Sequence, residues 1–412
     1  MRTARLDAAW LREPPLSEIL AVLDNAGEEA RVVGGAIRNT LLGQPPGDVD
    51  IATTALPAEV MRRAERVGFK PVPTGIEHGT VTVVAEGRPF EVTTLRADIE
   101  TFGRHARVVF GRDWKRDAER RDFTMNALSA SRDGTIHDYV GGLADIASRR
   151  VRFIGEPAKR IAEDYLRILR FFRFHAAYGE GAPDPDALAA CITARAGLDQ
   201  LSRERVRMEL FRLLIAKDAA SILAVMTDSG LLDQVLAGVP LVASFVKMVE
   251  LEKAVELTPD AVRHLGALAV FVVEDADRLR ERLRLANVEH ERLMLMAEEW
   301  RTVSPREGEL GGRRLLYRVG CDGFADVVLL AWARSSADIE DPFWRTLATL
   351  PARWSAPAFP LKSADFTSRG IAKGPRLGAA ISAAERAWVR AGFPLDAATL
   401  NAIADAAVRE TG

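Results

Sequence analysis

Cysteine is nearly missing from this chain of 412 residues, which has only Cys191 and Cys321. They lie far apart, with no Cys-x-x-Cys spacing. A disulfide framework and a cysteine zinc site are therefore excluded, and a reducing, cytoplasmic setting is expected. Histidine is scarce as well, at six residues. The one His-Asp doublet, His137-Asp138, has no further histidines nearby, so no HD-type hydrolytic metal centre is expected. No apolar run approaches the ~20 residues that span a membrane. The opening MRTARLDAAWLREPP carries arginine but no apolar core, so no secretory signal is expected. An excess of either charge is also lacking. Lys and Arg number 56, Asp and Glu 58, for a net charge of -2. Any nucleic-acid binding must then come from local basic faces rather than a global field. Fixed-period repeats and low-complexity tracts are absent, and nothing points to a protein partner.

What is present is a long chain with 48% apolar residues, enough for about two to four compact units, each with its own core. The patterning changes near Pro157. Before it, short strands alternate with helices. Ser17 to Asn25 reads as a helix, Arg31 to Val33 as a strand, Ala36 to Leu42 as a helix stopped by Gly43, and Pro57 to Val67 as another ended by Gly68. Thr80 to Ala85 and Phe90 to Leu95 read as a hairpin around Glu86-Gly87. After Pro157, Ala, Leu and Arg recur at helical spacing, and residues 158 to 412 read as nearly all helix.

Two features of the first part suggest chemistry. Gly34-Gly35 falls between a strand and a helix start, where glycines let the backbone approach a phosphate closely. Alone, that is an ordinary turn. Asp48-Val49-Asp50 follows on a stretch read as a strand over 48 to 52, where positions i and i+2 share a face. Two carboxylates projecting together repel unless a cation lies between them. That suits a site holding Mg²⁺, two ions with Mn²⁺ as the alternative, between carboxylates and phosphate oxygens. Taken alone, the pair could equally be a solvated strand end. Glu91 faces away from Phe90 and Val92, on the side of Thr93, and is a third candidate carboxylate.

These residues fall within a longer series. VVGGAIRNTLLGQPPGDVDIATTA is followed in order by TGIEHGTVTV, FEVTTLR, RRDFTMNAL, DYVGG, EDYLRILRFFRF and LSRERVRMEL. The ordered set, spanning residues 30 to 215, resembles the class II tRNA nucleotidyltransferases of the DNA polymerase β-like superfamily. The resemblance implies an α+β fold: a polymerase β-like head with a small mixed sheet (1–145), a helical neck that selects the base (146–240), and a helical body and tail (241–412). It implies template-independent addition of CCA from CTP and ATP to the 3′ end of tRNA. A bacterial poly(A) polymerase, or a specialist adding only CC or A, is the alternative. The TGIEHGTVTV segment and the lack of a strongly basic extension favour the tRNA enzymes.

The same resemblance assigns roles. Asp48 and Asp50 hold the metal, and Glu91 assists. Gly34, Gly35, Arg38, Arg120, Arg121, Asp122 and Asn126 hold ribose and triphosphate. Glu163, Asp164, Arg167 and Arg170 surround the base. Arg104, His105 and Arg107 belong to a mobile loop over 96–116. His78 reads equally well as a turn residue. Basic residues Arg149, Arg150, Arg152, Lys159, Arg160 and Arg173 offer further phosphate contacts or pair with nearby acids.

The selection role has a physical basis. Asp164 and Arg167, three apart on one expected helix, offer an acceptor beside a donor. Cytosine and adenine present the complementary amino donor and ring-nitrogen acceptor. Uracil and guanine present the reverse, leaving buried groups unpaired. On this reading Glu163 holds Arg167 by an ion pair. One departure stands out. Asn39 replaces the aspartate that the family carries after Arg38, which removes a charge beside the phosphate site.

Overall fold

The computed structural model describes residues 4–102 and 105–411, with the side chains of 97–108 outside that description. The chain forms two compact units, Met1–Val235 and Leu236–Gly412.

Among the described residues of the first unit nine strands form two sheets: β1 Ala30–Val33, β2 Asp50–Thr53, β3 Lys70–Gly75, β4 Thr80–Ala85, β5 Arg88–Thr94, β6 Arg96–Phe102, β7 His105–Phe110, β8 Ser129–Ala130 and β9 Ile136–His137. The larger sheet runs β3-β4-β5-β2-β1-β8-β9, and β6 pairs only with β7. β2 and β5 are parallel, with Ile51 opposite Val92, and the other neighbours are antiparallel. The β4–β5 hairpin turns at Glu86 and Gly87, with φ of 50° and 76°. Two successive positive φ values make the hairpin turn whose twist matches its strands, and glycine adopts one at no steric cost. On β5, Phe90 and Val92 are buried while Glu91 is exposed, so the expected alternation holds.

Helices of this unit are α1 Leu16–Leu23, α2 Gly35–Leu41, α3 Pro57–Arg66, α4 Trp114–Glu119, α5 Gly142–Ala147, α6 Pro157–Glu163, α7 Leu166–Tyr178, α8 Pro185–Thr193, α9 Arg203–Leu214 and α10 Ala219–Asp228; α11 Leu231–Leu236 crosses into the second unit. α7 places the site. It buries Ile168, Leu169, Phe171, Phe172 and Phe174, and Phe123 lies 4.9 Å from Phe153 and 5.1 Å from Phe174 between ring centroids. Each fully buried phenyl ring contributes about 2–3 kcal/mol. The arginines Arg167, Arg170 and Arg173 recur every three residues on its polar face.

Three expectations are corrected. β2 starts at Asp50, so Asp48 lies in the bend before it and the two do not share a strand. The stretch 96–116, expected as a mobile loop, carries the β6–β7 ladder on both sides of 103–104. The helix expected across Glu163 to Phe174 is broken: α6 ends at Glu163 and Asp164 is extended at φ -157°.

The second unit is helical: α12 Val242–Ala254, α13 Ala261–Ala269, α14 Val273–Leu283, α15 Asn287–Glu299, α16 Gly308–Arg334, α17 Pro342–Ala348, α18 Leu350–Arg353, α19 Ser363–Thr367, α20 Pro375–Arg390 and α21 Ala397–Glu410. α16 kinks at Gly320, where φ is 73°. Trp388, Phe366 and Ala404 anchor a core under α19, α20 and α21. Among the described residues, no helix is long and apolar enough to cross a membrane.

Candidate active site

An open cleft of about 610 Å³ lies in the first unit. It brings together Gly34, Gly35, Arg38, Asp50, Glu91, Arg120, Arg121, Asp122, Asn126, Asp164, Arg167 and Arg170. These come from stretches scattered between positions 34 and 170 of the sequence, so only the fold assembles them. Asp48 and Glu163 do not line it. Asp48 is exposed beside it and acts on Asp50 through its charge. Glu163 lines a neighbouring cavity with Arg160. Arg104 and the side chains of His105 and Arg107 lie outside the described residues.

One end of the cleft is acidic. Asp50 touches solvent there, yet the surrounding protein mass, then the charges of Glu91 and Asp48, push its carboxyl up to about 6 against the opposing pull of Arg121. A carboxyl held this far above its usual range is one that a cation would relieve. Among the described residues no three carboxylate, imidazole or thiolate groups are arranged to hold a metal alone. A cation here would need oxygens from a bound substrate or water to complete its shell, as Mg²⁺ commonly does.

The turn at Gly34 sets the floor. Its φ of 74° favours glycine, and a Cβ there would lie 3.4 Å from the Arg121 guanidinium. Arg38, on α2, is buried and held by neutral groups. Its Nε and Nη2 donate to Asn39 Oδ1 at 3.1 and 2.8 Å, Nη2 also donates to the Tyr178 hydroxyl at 2.9 Å, and Nη1 donates to Asn126 Oδ1. Its guanidinium stacks 4.0 Å from the Tyr178 ring centre. Asn39 therefore keeps Arg38 anchored despite the lost charge. Its Nδ2 also donates to the Pro46 carbonyl at 3.3 Å, which a carboxylate cannot do.

Buried acids fix the other arginines. Asp117 accepts from Arg120 at 2.6 and 2.8 Å and from Arg121 at 3.2 Å. Asp122 accepts from Arg170 Nε at 2.9 Å, from Asn126 at 3.2 Å and from its neighbour's N–H at 2.8 Å. Burial works to raise the Asp122 pKa, but the Arg170 charge and these hydrogen bonds outweigh it and hold the group below the usual range. With two bonds on each oxygen, Asp122 orients Arg170 and Asn126 more than it offers a free acceptor.

The remaining wall holds Asp164 and Arg167. Asp164 Oδ1 caps α7 by accepting the Leu166 N–H at 3.1 Å, and Oδ2 accepts from Arg205 at 2.6 Å. Arg167 Nη1 donates to Glu163, the ion pair expected from sequence, and to the Arg160 carbonyl at 2.5 Å. Its Nε and Nη2 bond no other described residue and remain as donors.

Sequence reasoning missed Arg205, which lines the cleft, and Glu209, which accepts from Arg173 at 2.5 Å and pairs with Arg170 at 3.6 Å. Both lie on α9 at i, i+4, a spacing that was visible but not attached to any partner. Asp117 was missed too, although it precedes Arg120 and Arg121 at helical distances. Thr80 and Arg96 also line the cleft. Several basic residues pair with acids: Arg150 with Asp184, Arg152 with Asp145 and Lys159 with Glu156. His78 is exposed, and its carbonyl accepts from Arg96 at 2.7 Å. Asp138 accepts four backbone N–H groups, from Val140 to Leu143, a structural use of the His-Asp doublet.

Comparison with known proteins gives a consistent picture. Residues 30–152 match a family described as the poly A polymerase head domain. Residues 182–245 match one described as a probable RNA and SrmB-binding site of polymerase A. The chain is 31% identical over 385 residues to CCA tRNA nucleotidyltransferase 1, mitochondrial, of Homo sapiens, covering 92% of this chain and 87% of the relative. It is 32% identical over 400 residues to the CCA-adding enzyme of Limosilactobacillus fermentum, covering 94% and 95%. In three dimensions it is similar to the Bacillus stearothermophilus CCA-adding enzyme in complex with CTP, with a TM-score of 0.73, 29% identity, and 92% and 94% coverage.

Proposed function

The chain belongs to the class II tRNA nucleotidyltransferases, the CCA-adding enzymes, and on that premise we propose that it adds C, C and A to the 3′ end of tRNA from CTP and ATP, without a template. In this reading residues 1–145 form the catalytic head, 146–240 select the base and 241–412 hold the tRNA by shape and phosphate contacts. The two free cysteines favour a cytoplasmic setting. The observation that carries the reading is a single cleft lined by Asp50 and Glu91 and also by Asp164 and Arg167.

The 3′-hydroxyl of the tRNA gives up its proton to solvent as its oxygen forms a bond to the α-phosphorus, the bond from that phosphorus to the bridging oxygen breaks, and pyrophosphate leaves with that electron pair. Asp48 and Asp50 would hold Mg²⁺ (two ions, or Mn²⁺ in its place), which would supply stabilisation of the negative charge that develops in the transfer. Glu91 faces the same space and orients the attacking hydroxyl. Arg38, Arg120, Arg121 and Arg170 hold the triphosphate in line, so that much of the rate comes from positioning. Asp164 accepts from the amino group of C or A, and the free donors of Arg167 reach the ring nitrogen. U and G meet both groups with the wrong polarity.

The test is incubation of tRNA lacking its CCA end with each labelled nucleotide. Addition of C, C and A followed by a stop is expected. A long A tail would indicate a poly(A) polymerase, a stop after CC a specialist, and no incorporation would overturn the transferase reading.

A further inference from the structure

Several arginines of the second unit are matched by an acid. Arg313 pairs with Glu309, Arg318 with Glu299, Arg345 with Glu340 and Arg369 with Asp405. Arg301 and Arg334 are different. Neither has an ion pair among the described residues, yet both lie against the same two rings. Arg301 is 4.6 Å from the ring centres of both Phe271 and Trp300, and Arg334 is 5.2 and 4.7 Å from them. The rings are themselves 5.2 Å apart. Arg334 Nη2 donates to the Gly266 and Val270 carbonyls, while its Nε and Nη1 are buried with no hydrogen-bond partner. Burial, then the like charge of Arg301, pull Arg334 down to about 10. Asp275 acts in the opposite direction, but it is engaged by Arg278 and by the N–H groups of Phe271 and Val272. Phe271 is nevertheless 46% exposed and Val272 38%.

Two neighbouring guanidinium groups without a counter-charge are costly unless an anion completes them. Aromatic rings left half-open beside them add a face for a sugar or base. From this juxtaposition we propose that Arg301, Phe271 and Trp300, backed by the charge of the buried Arg334 guanidinium, form an RNA-contact surface that takes a backbone phosphate of tRNA at Arg301 and an adjoining sugar or base edge against Phe271. This rests on the reading of the chain as a tRNA enzyme. It adds a specific contact to a unit whose part in binding was assigned only in general terms.

The test is equilibrium binding of the full chain to tRNA lacking CCA, at salt concentrations from about 50 to 200 mM. Arg301→Glu should weaken tRNA binding about tenfold at low salt and flatten the salt dependence by about one unit of slope or more. Arg301→Lys should stay near wild type in slope, and Phe271→Ala should weaken binding about threefold to tenfold with the slope unchanged. CTP affinity should not move in any of them, and each should remain folded, with melting temperature unchanged in the two Arg301 variants. Wild-type tRNA affinity and slope in a folded Arg301→Glu protein would overturn the proposal, including in favour of a protein partner at this face. The transferase reading fails separately: tRNA bound through this surface without incorporation would sink that reading alone.

Discussion

Each unit contains a network of arginines and carboxylates, and the two networks differ in what they leave open. In the second unit Asp326 is fully buried and accepts from Arg263 at 2.9 Å and from Arg292 at 2.8 and 2.9 Å. Arg292 continues to Asp260 at 2.9 Å, Arg263 to Glu252, and Glu252 to His264 at 2.6 Å. These groups tie α12, α13, α15 and α16 together, with Asp326, Glu252 and His264 buried and Arg292 and Asp260 partly exposed. In the first unit the same kinds of pair surround an open cleft. Arg38 there is held by neutral oxygens, and Arg167 keeps two donors unused. A closed network specifies packing, whereas an open one keeps charge and hydrogen-bonding capacity for a ligand.

Substitutions in both networks can sharpen that contrast. The largest effect on folding is expected in the closed one. Asp326→Ala leaves two arginines without their shared acceptor and should cost about 3–5 kcal/mol in denaturant unfolding. In the open network the loss should fall on function. Arg38→Ala should lower kcat/KM for both CTP and ATP by roughly a hundredfold, about 2.7 kcal/mol, in steady-state assays. Arg205→Ala releases one oxygen of Asp164 and should reduce discrimination of CTP over UTP about tenfold in competition assays. Asn39→Asp should have the smallest effect, no more than about threefold on nucleotide KM, because an oxygen still accepts from Arg38 while the contact to Pro46 is lost. A large stability loss from Arg38→Ala with little kinetic change would erase the distinction between the networks.

Much of the cleft is legible from local pattern. Gly34-Gly35, the Glu86-Gly87 hairpin and the outward side of Glu91 follow from φ requirements and strand alternation, which depend on near neighbours. The pairing of Glu163 with Arg167 was expected within one helix and forms instead across the break between α6 and α7. The break after Glu163 was not legible, because Asp164 leaves the helix to meet Arg205 about forty positions later. The start of β2 at Asp50 is set by pairing with β1 and β5, a tertiary choice that the Asp-x-Asp spacing cannot reveal. The β6–β7 ladder lies in a charged stretch with few strong apolar periodicities, and among the described residues its strands pair with each other, so little marks it in the sequence. Asn39 looked like a loss, and only its place between Arg38 and Pro46 shows what the amide does.

The most direct test of the acidic end of the cleft is Asp50→Asn, followed by single-turnover C incorporation and thermal melting across pH. The raised Asp50 pKa supports the fold below the usual aspartate range, and that support is lost as pH rises through about 6. At pH 8 the variant should therefore melt no lower than wild type, and any gain should vanish by pH 4. Incorporation should fall at least about a thousandfold. A folded Asp50→Asn protein that adds C at close to the wild-type rate would contradict the account.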